Sequence, residues 1–302
     1  MTRQTDFSAR SIGVIGVGRM GLPMCARLVD AGFSVIATDR RADVRPQLCE
    51  VGGRWADSVS EVTQEVDTVI TVLPGLSEVL EIVEPLVAAL PANSAWIDMT
   101  SASPAVSDQA RAAAGAKGLH LLDAPVGGNP ETAREGRLLA YVGGAAEDLA
   151  QQRKLLGSLT DRILHFGPSG SGYVAKLLVN LLWFGQAVAG AEVLALADRS
   201  GLDPETVRSA IGDGASANRF MDREAPLLLR GEDLTSFSIA RCLEEIEAAL
   251  GIADELAVPM PVAERVAEIY RDTVARFGDA DGELLAARAV AEGAGFQGGT
   301  LD

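Results

Sequence analysis

Through its first half the chain alternates short apolar runs with longer stretches of mixed polarity. The runs fall at 12–15, 34–38, 68–73 and 95–98, then at 118–122, 138–142 and 163–166. Each has the length of a buried strand, and the stretches between them carry helical spacing, the first at about 20–31. Strands and helices in alternation predict a parallel, doubly wound sheet. A loop and a helix separate the last three runs. Past residue 170 only helical periodicity remains, at about 174–200, 203–212, 239–256, 260–276 and 282–292. Asp203 followed by Pro204 marks a helix start, and Gly201 marks the preceding stop. Gly167-Pro168-Ser169-Gly170-Ser171-Gly172 interrupts the pattern. The chain thus reads as a disordered or loosely attached polar tail at 1–10, an α/β domain at 11–169 and an all-α domain at 170–302.

The segment 175–197 is apolar and as long as a membrane span. It carries Lys176, Asn180, Gln186 and Glu192, each costly in lipid, so it is read as a helix buried in the protein or in a subunit interface. Charge narrows the partners. Acidic residues outnumber basic ones by 42 to 26, a net −16, which disfavours nucleic acid and anionic membranes. Cys25, Cys49 and Cys242 are too widely spaced for a metal site or a disulfide framework, and residues 1–10 lack the apolar core of a signal peptide. A metal-free cytoplasmic protein is expected.

Gly16-Val17-Gly18-Arg19-Met20-Gly21 fits G-x-G-x-x-G, which alone is a weak signal. Here it follows an apolar strand and opens a helix, the context of a Rossmann dinucleotide-binding unit. Gly16 suits the tight turn, Gly18 the approach of the pyrophosphate, and Gly21 the close packing of helix on strand. Asp39 lies 18 residues past Gly21, at the end of the second strand, where a carboxylate accepts from the adenosine ribose and repels a 2′-phosphate. Arg40 and Arg41 follow and would instead neutralise such a phosphate. The balance favours NAD, with NADP tolerated.

Three later segments join this motif. They are Asp98-Met99-Thr100-Ser101-Ala102-Ser103-Pro104, then Asp123-Ala124-Pro125-Val126-Gly127-Gly128 running on to Gly136-Arg137-Leu138, then Gly170-Ser171-Gly172-Tyr173-Val174-Ala175-Lys176 through Asn180. With Leu73-Pro74, this constellation resembles the β-hydroxyacid dehydrogenase family, which includes 3-hydroxyisobutyrate dehydrogenase and tartronate semialdehyde reductase. The resemblance implies that Gly16, Gly18, Gly21 and Asp39 hold the dinucleotide, with Arg19, Met20 and Arg40 beside them. It implies that Leu73 and Pro74 line the path of the cofactor, and that Thr100 sits at its nicotinamide end. Lys176 would be the catalytic lysine and Asn180 an amide that orients substrate. It further implies an all-helical second domain and a homodimer or homotetramer formed through it.

The chemistry of the lysine stands apart from the resemblance. Reducing a carbonyl requires a proton at the oxygen as hydride arrives, and oxidising an alcohol requires the reverse. An amine held out of water beside substrate can serve both directions. Lys176 and Asn180 are four apart and share a helix face.

Two places depart from the family pattern. The loop after Asp-Ala-Pro-Val usually runs Ser-Gly-Gly, where the serine and amides hold the substrate carboxylate. Here it runs Gly127-Gly128-Asn129, leaving the backbone N–H groups from Val126 onward and the Asn129 side chain as candidate donors. A usual Lys-Asp pair is replaced by Glu244-Glu245. Either the carboxylate is held by backbone alone, or the substrate is neutral or carries an amine that Glu244 pairs with. Imine reduction is a related alternative, against which Lys176 counts. A non-catalytic dinucleotide-binding protein is another. His120 and His165 read as structural, Tyr173 and Trp183 as core, and Asp123 as a strand end that caps the following loop.

Overall fold

Side chains alternate across the first strand, and that alternation decides the layers of the first half. In β1 (Ser11–Ile15), Ile12 and Val14 face one side and Ile15 the other. The computed structural model describes residues 11–102, 104–235 and 237–296; the tail expected at 1–10 lies outside the described residues. After β1 come α1 (Gly21–Asp30), β2 (Ser34–Thr38), α2 (Arg45–Glu50), β3 (Arg54–Trp55), α3 (Val59–Thr63), β4 (Thr68–Thr71), α4 (Leu76–Ala89), β5 (Ala95–Asp98), α5 (Pro104–Lys117) and β6 (His120–Asp123). These strands run parallel in the order β3-β2-β1-β4-β5-β6. Ile70, Ile97 and Leu122 join Met24 and Leu28 of α1 on one face. Val69, Trp96 and Leu121 join Val79, Val83 and Leu86 of α4 on the other. Each large aliphatic side chain buried this way contributes about 1.5–3 kcal/mol.

At the far end the otherwise parallel sheet takes in reversed strands. There β7 (Val126–Gly127), α6 (Pro130–Glu135) and β8 (Leu138–Gly143) lead to α7 (Ala146–Leu159) and β9 (Thr160–Gly167). β8 runs antiparallel to both β6 and β7, and β9 lies parallel to β8. A two-residue strand and a six-residue helix do not carry the chain back across the sheet, so β8 returns in the opposite direction.

The chain divides into two compact units, Met1–Lys176 and Leu177–Asp302. Their boundary falls within α8 (Ser171–Arg199). The second unit continues with α9 (Pro204–Gly212), α10 (Arg219–Arg223), α11 (Ala225–Leu229), α12 (Ile239–Glu255), α13 (Pro261–Phe277) and α14 (Leu285–Gly293). Asp203 caps α9 with Pro204 in its first turn, as expected. The short α10 and α11 were not predicted, because five residues show no helical period. α8 is the one helix among the described residues long and apolar enough to cross a membrane, and 44% of its most apolar window is buried. Leu177, Leu181, Phe184, Val188, Ala191 and Leu194 are buried, while Leu178, Val179, Leu182 and Leu196 are exposed. The expectation of a buried helix therefore holds for one face.

Phe220 of α10 is fully buried against the edge of Trp183, and a Cβ on Gly190 would lie 2.8 Å from its ring. Phe220→Ala is expected to cost about 3–5 kcal/mol of stability in urea denaturation. A loss under about 1 kcal/mol would contradict this packing.

Candidate active site

Two glycines of the first loop are demanded by close packing, and the third faces open space. Gly16 has φ +100°, and a Cβ there would lie 2.1 Å from the Val72 carbonyl oxygen. One on Gly21 would lie 2.0 Å from the Gly16 carbonyl oxygen. At Gly18 it would meet nothing within 4 Å. α1 begins here without a side-chain cap or an acidic residue in its first turn. The first amides of a helix have no helical acceptor, and the dipole adds positive potential, so this turn suits a diphosphate. Arg19 is exposed beside it and Met20 half-buried against the core.

Asp39 closes the loop from the next strand. Its carboxylate accepts from the Val17 N–H at 2.7 Å and from the Arg41 N–H at 2.8 Å. Arg40 pairs with Glu81, both largely exposed. An exposed pair of this kind contributes about 0–1 kcal/mol, too little to withhold the guanidinium from a competing phosphate.

The segments at 73–74 and 98–100 meet through a buried carboxylate. Asp98, at the end of β5, accepts from the Thr71 hydroxyl at 2.7 Å, from the Thr100 N–H at 3.1 Å and from the Tyr173 hydroxyl. Thr100 in turn accepts from the Leu73 N–H at 3.0 Å, and Pro74 follows, exposed. Thr100 and Leu73 are therefore brought together, whereas the organising role of Asp98 was missed. A charged residue ending a fully apolar strand was the available signal. Desolvation pushes the Asp98 carboxyl above the usual carboxylate range, with the bonds from Tyr173, Thr100 and Thr71 opposing it.

Asp123, expected to cap its own loop, instead holds the start of α8. It accepts from the Gly170 N–H at 2.7 Å, the Gly172 N–H at 2.8 Å and the Tyr173 N–H at 3.3 Å. Burial raises its pKa too, with the Gly170 and Tyr173 amides pulling it back. Close approach depends on two glycines. A Cβ on Gly172 would lie 2.4 Å from the Tyr141 carbonyl oxygen, and one on Gly143 would lie 2.5 Å from an Asp123 carboxylate oxygen. Lys176, one turn along, is half-buried with Nζ 6.0 Å from the centre of the Tyr141 ring.

Asn180, the next turn of that helix, donates to Glu245 at 2.5 Å. The expectation for Glu244 needs correction. Glu244 is exposed and paired with Arg241 at 2.8 Å, while its neighbour Glu245 is the buried acid. Helical periodicity carried this information: Ile239, Cys242, Ile246 and Ala249 face inward, which turns 245 inward and 244 outward. Asn129 caps α6, its side-chain oxygen accepting from the Thr132 N–H, a bond that uses the oxygen and not the NH2 group expected to donate. Gly128, φ +140°, is forced, because a Cβ would lie 2.5 Å from the Thr132 hydroxyl. Val126 and Gly127 are half-buried beside it. His120 pairs with Asp148, His165 bonds the Gly144 carbonyl, and Trp183 packs edge-on against Phe184 and Phe220.

The raised pKa of Asp98 gives a pH signature. The folded state holds its proton more tightly than the unfolded chain, so the stability linked to this group is full below about pH 4 and falls as pH rises past the ordinary carboxylate value. Asp98→Asn cannot ionise and keeps one acceptor oxygen, which serves either Thr71 and Thr100 or Tyr173 but not both sides. Its stability in urea is expected to gain on that of the wild type as pH rises; a difference independent of pH would contradict this.

Comparison with known proteins identifies both parts of the chain. Residues 11–167 match the NAD binding domain of 6-phosphogluconate dehydrogenase, and residues 170–290 match the NAD-binding family of NADP-dependent 3-hydroxyisobutyrate dehydrogenase. The chain is 36% identical to 3-hydroxyisobutyrate dehydrogenase of Pseudomonas aeruginosa over 68% of its own length and 70% of that protein. It is 29% identical to an uncharacterized oxidoreductase of Bacillus subtilis, over 89% of its own length and 94% of that protein. Among solved structures, the Mycobacterium tuberculosis 3-hydroxyisobutyrate dehydrogenase with L-serine superposes with a TM-score of 0.83 at 27% identity, covering 93% of this chain and 98% of that one. A Streptomyces aurantiacus imine reductase shares the fold with a TM-score of 0.63 at 19% identity, covering 93% and 99% of the two chains. The chain belongs to the β-hydroxyacid dehydrogenase family.

Proposed function

We infer that the protein reversibly transfers a hydride between NAD(P) and a small β-hydroxy acid or its aldehyde or keto counterpart. The observation that carries this reading is the start of α8, fastened by Asp123 to the unit that also holds the glycine-rich turn. A family lysine, Lys176, stands one turn from that anchor. The nicotinamide ring, when bound, accepts or supplies the hydride. Gly16 to Gly21 would receive the pyrophosphate, and Asp39 the ribose hydroxyls. Leu73, Pro74 and Thr100 would border the ring. Amides of Val126, Gly127 and Gly128 would receive the carboxylate. Lys176 would take the hydroxyl proton during oxidation and return it to the carbonyl oxygen during reduction. Asn180 would orient the same oxygen.

Asp39 supports NAD as the preferred dinucleotide, although the family matched by residues 170–290 is described as NADP-dependent. A second reading, that the substrate also bears an amine, is favoured by the buried Glu245 carboxylate beside Asn180. L-serine therefore belongs in the substrate panel. A homodimer or homotetramer joined through the helical unit is supported by the exposed Leu178, Leu182 and Leu196 on α8. The net charge of −16 supports small-molecule rather than nucleic-acid or membrane partners.

Lys176→Ala is expected to lower kcat by about two to four orders of magnitude while leaving dinucleotide affinity unchanged, read from the absorbance of the reduced cofactor. Unchanged turnover would remove the lysine from the mechanism. Asp39→Ala is expected to shift the NAD-to-NADP ratio of kcat/KM towards NADP by about tenfold or more. An unmoved ratio would count against a ribose contact.

A further inference from the structure

Gly127 and Gly128 are glycines for different reasons. Gly128 needs one for its backbone, whereas Gly127 does not lie in the left-handed region. A Cβ on Gly127 would instead meet Tyr141 of β8: its hydroxyl oxygen at 3.3 Å, then Cε2 at 3.4 Å and Cζ at 3.8 Å. The polar end of the phenol therefore fills the volume that a side chain at 127 would enter. This is the loop position where the family pattern has a serine hydroxyl and this chain has none.

The ring is also fixed in place. Tyr141 is only 5% exposed, and it stacks on Phe166 with ring centres 6.0 Å apart and planes 27° apart. Lys176 Nζ lies 6.0 Å from its centre, within the range of a cation over an aromatic face. The carbonyl oxygen of Tyr141 lies against Gly172, at the start of the helix that carries the lysine. A phenol both donates and accepts hydrogen bonds, so its oxygen and its proton can each serve a different partner.

We propose that the Tyr141 hydroxyl is a substrate-anchoring donor that replaces the hydroxyl absent from position 127, holding the carboxylate of a β-hydroxy acid beside Lys176. This rests on the hydroxy-acid reading and makes it more specific: the loop amides are supplemented by a phenol reaching in from the neighbouring strand. It also explains the pairing of a residue without a side chain at 127 with a large one at 141.

The test is a kinetic comparison of wild type, Tyr141→Phe, Gly127→Ser and the double variant, using 3-hydroxyisobutyrate and NAD(P). Phenylalanine keeps the ring and its stacking and removes only the hydroxyl. Tyr141→Phe is expected to raise KM by about tenfold or more, with kcat changed less than about threefold, the scale of a lost hydrogen bond to a charged group. Its dinucleotide affinity should equal that of the wild type, which shows the variant to be folded. Gly127→Ser alone is expected to raise KM by crowding the phenol. In the double variant the serine hydroxyl has room, and KM is expected to return to within about threefold of the wild type. An unchanged KM in Tyr141→Phe, a loss confined to kcat, or a raised KM that serine does not correct would each overturn the proposal. A wild type inactive on every β-hydroxy acid would overturn the hydroxy-acid reading and this proposal with it, whereas an active wild type with an indifferent Tyr141→Phe would overturn this proposal alone.

Discussion

One carboxylate sets the geometry on which the start of α8 depends. Asp123 ends a central strand and accepts three amides from the chain as it enters α8. The first amides of any helix lack partners within it, so an anion placed there both satisfies them and meets the positive end of the dipole. Here that anion comes from 47 residues earlier in the chain. The bond fixes where a long helix begins, and hence the position of a lysine on its second turn. Its strength has a cost in burial, visible in the raised pKa of the acid.

Asp98 provides a second tether, through the Tyr173 hydroxyl, to the same turn. Because Asp98 also orders Thr100, and Thr100 orders Leu73, the lysine-bearing helix and the strand ends are parts of one hydrogen-bonded assembly. Gly16, Asp39, Leu73, Thr100 and Asp123 all lie at or just past the carboxyl ends of parallel strands. That edge is where open α/β sheets place their ligands. Glycine at 143 and 172 lets backbone and carboxylate approach more closely than any side chain would permit.

Much of this could be read from the sequence because it is local. The β1–α1 turn, the cap at Asp203 and the long helical periods each depend on a few adjacent residues. What escaped was long-range or short. The antiparallel β8 depends on how the chain returns after β6, which periodicity does not encode. Five-residue helices such as α10 lack a full repeat. Glu245 was legible from the inward stripe of its helix, and the departure at 244–245 drew attention to its neighbour instead. The nearness of Tyr141 to Gly127 follows from strand pairing, Val126 to Ala140 and Gly127 to Leu139, and no motif announces it.

The role proposed for the amine at position 176, on the helix that Asp123 holds, is to carry the proton that accompanies hydride transfer. Its most direct test is the single-turnover rate of Lys176→Ala with and without an added small primary amine. A slow reaction that quickens in proportion to amine concentration is expected, while dinucleotide binding stays constant. A rate equal to that of the wild type and indifferent to the amine would contradict it.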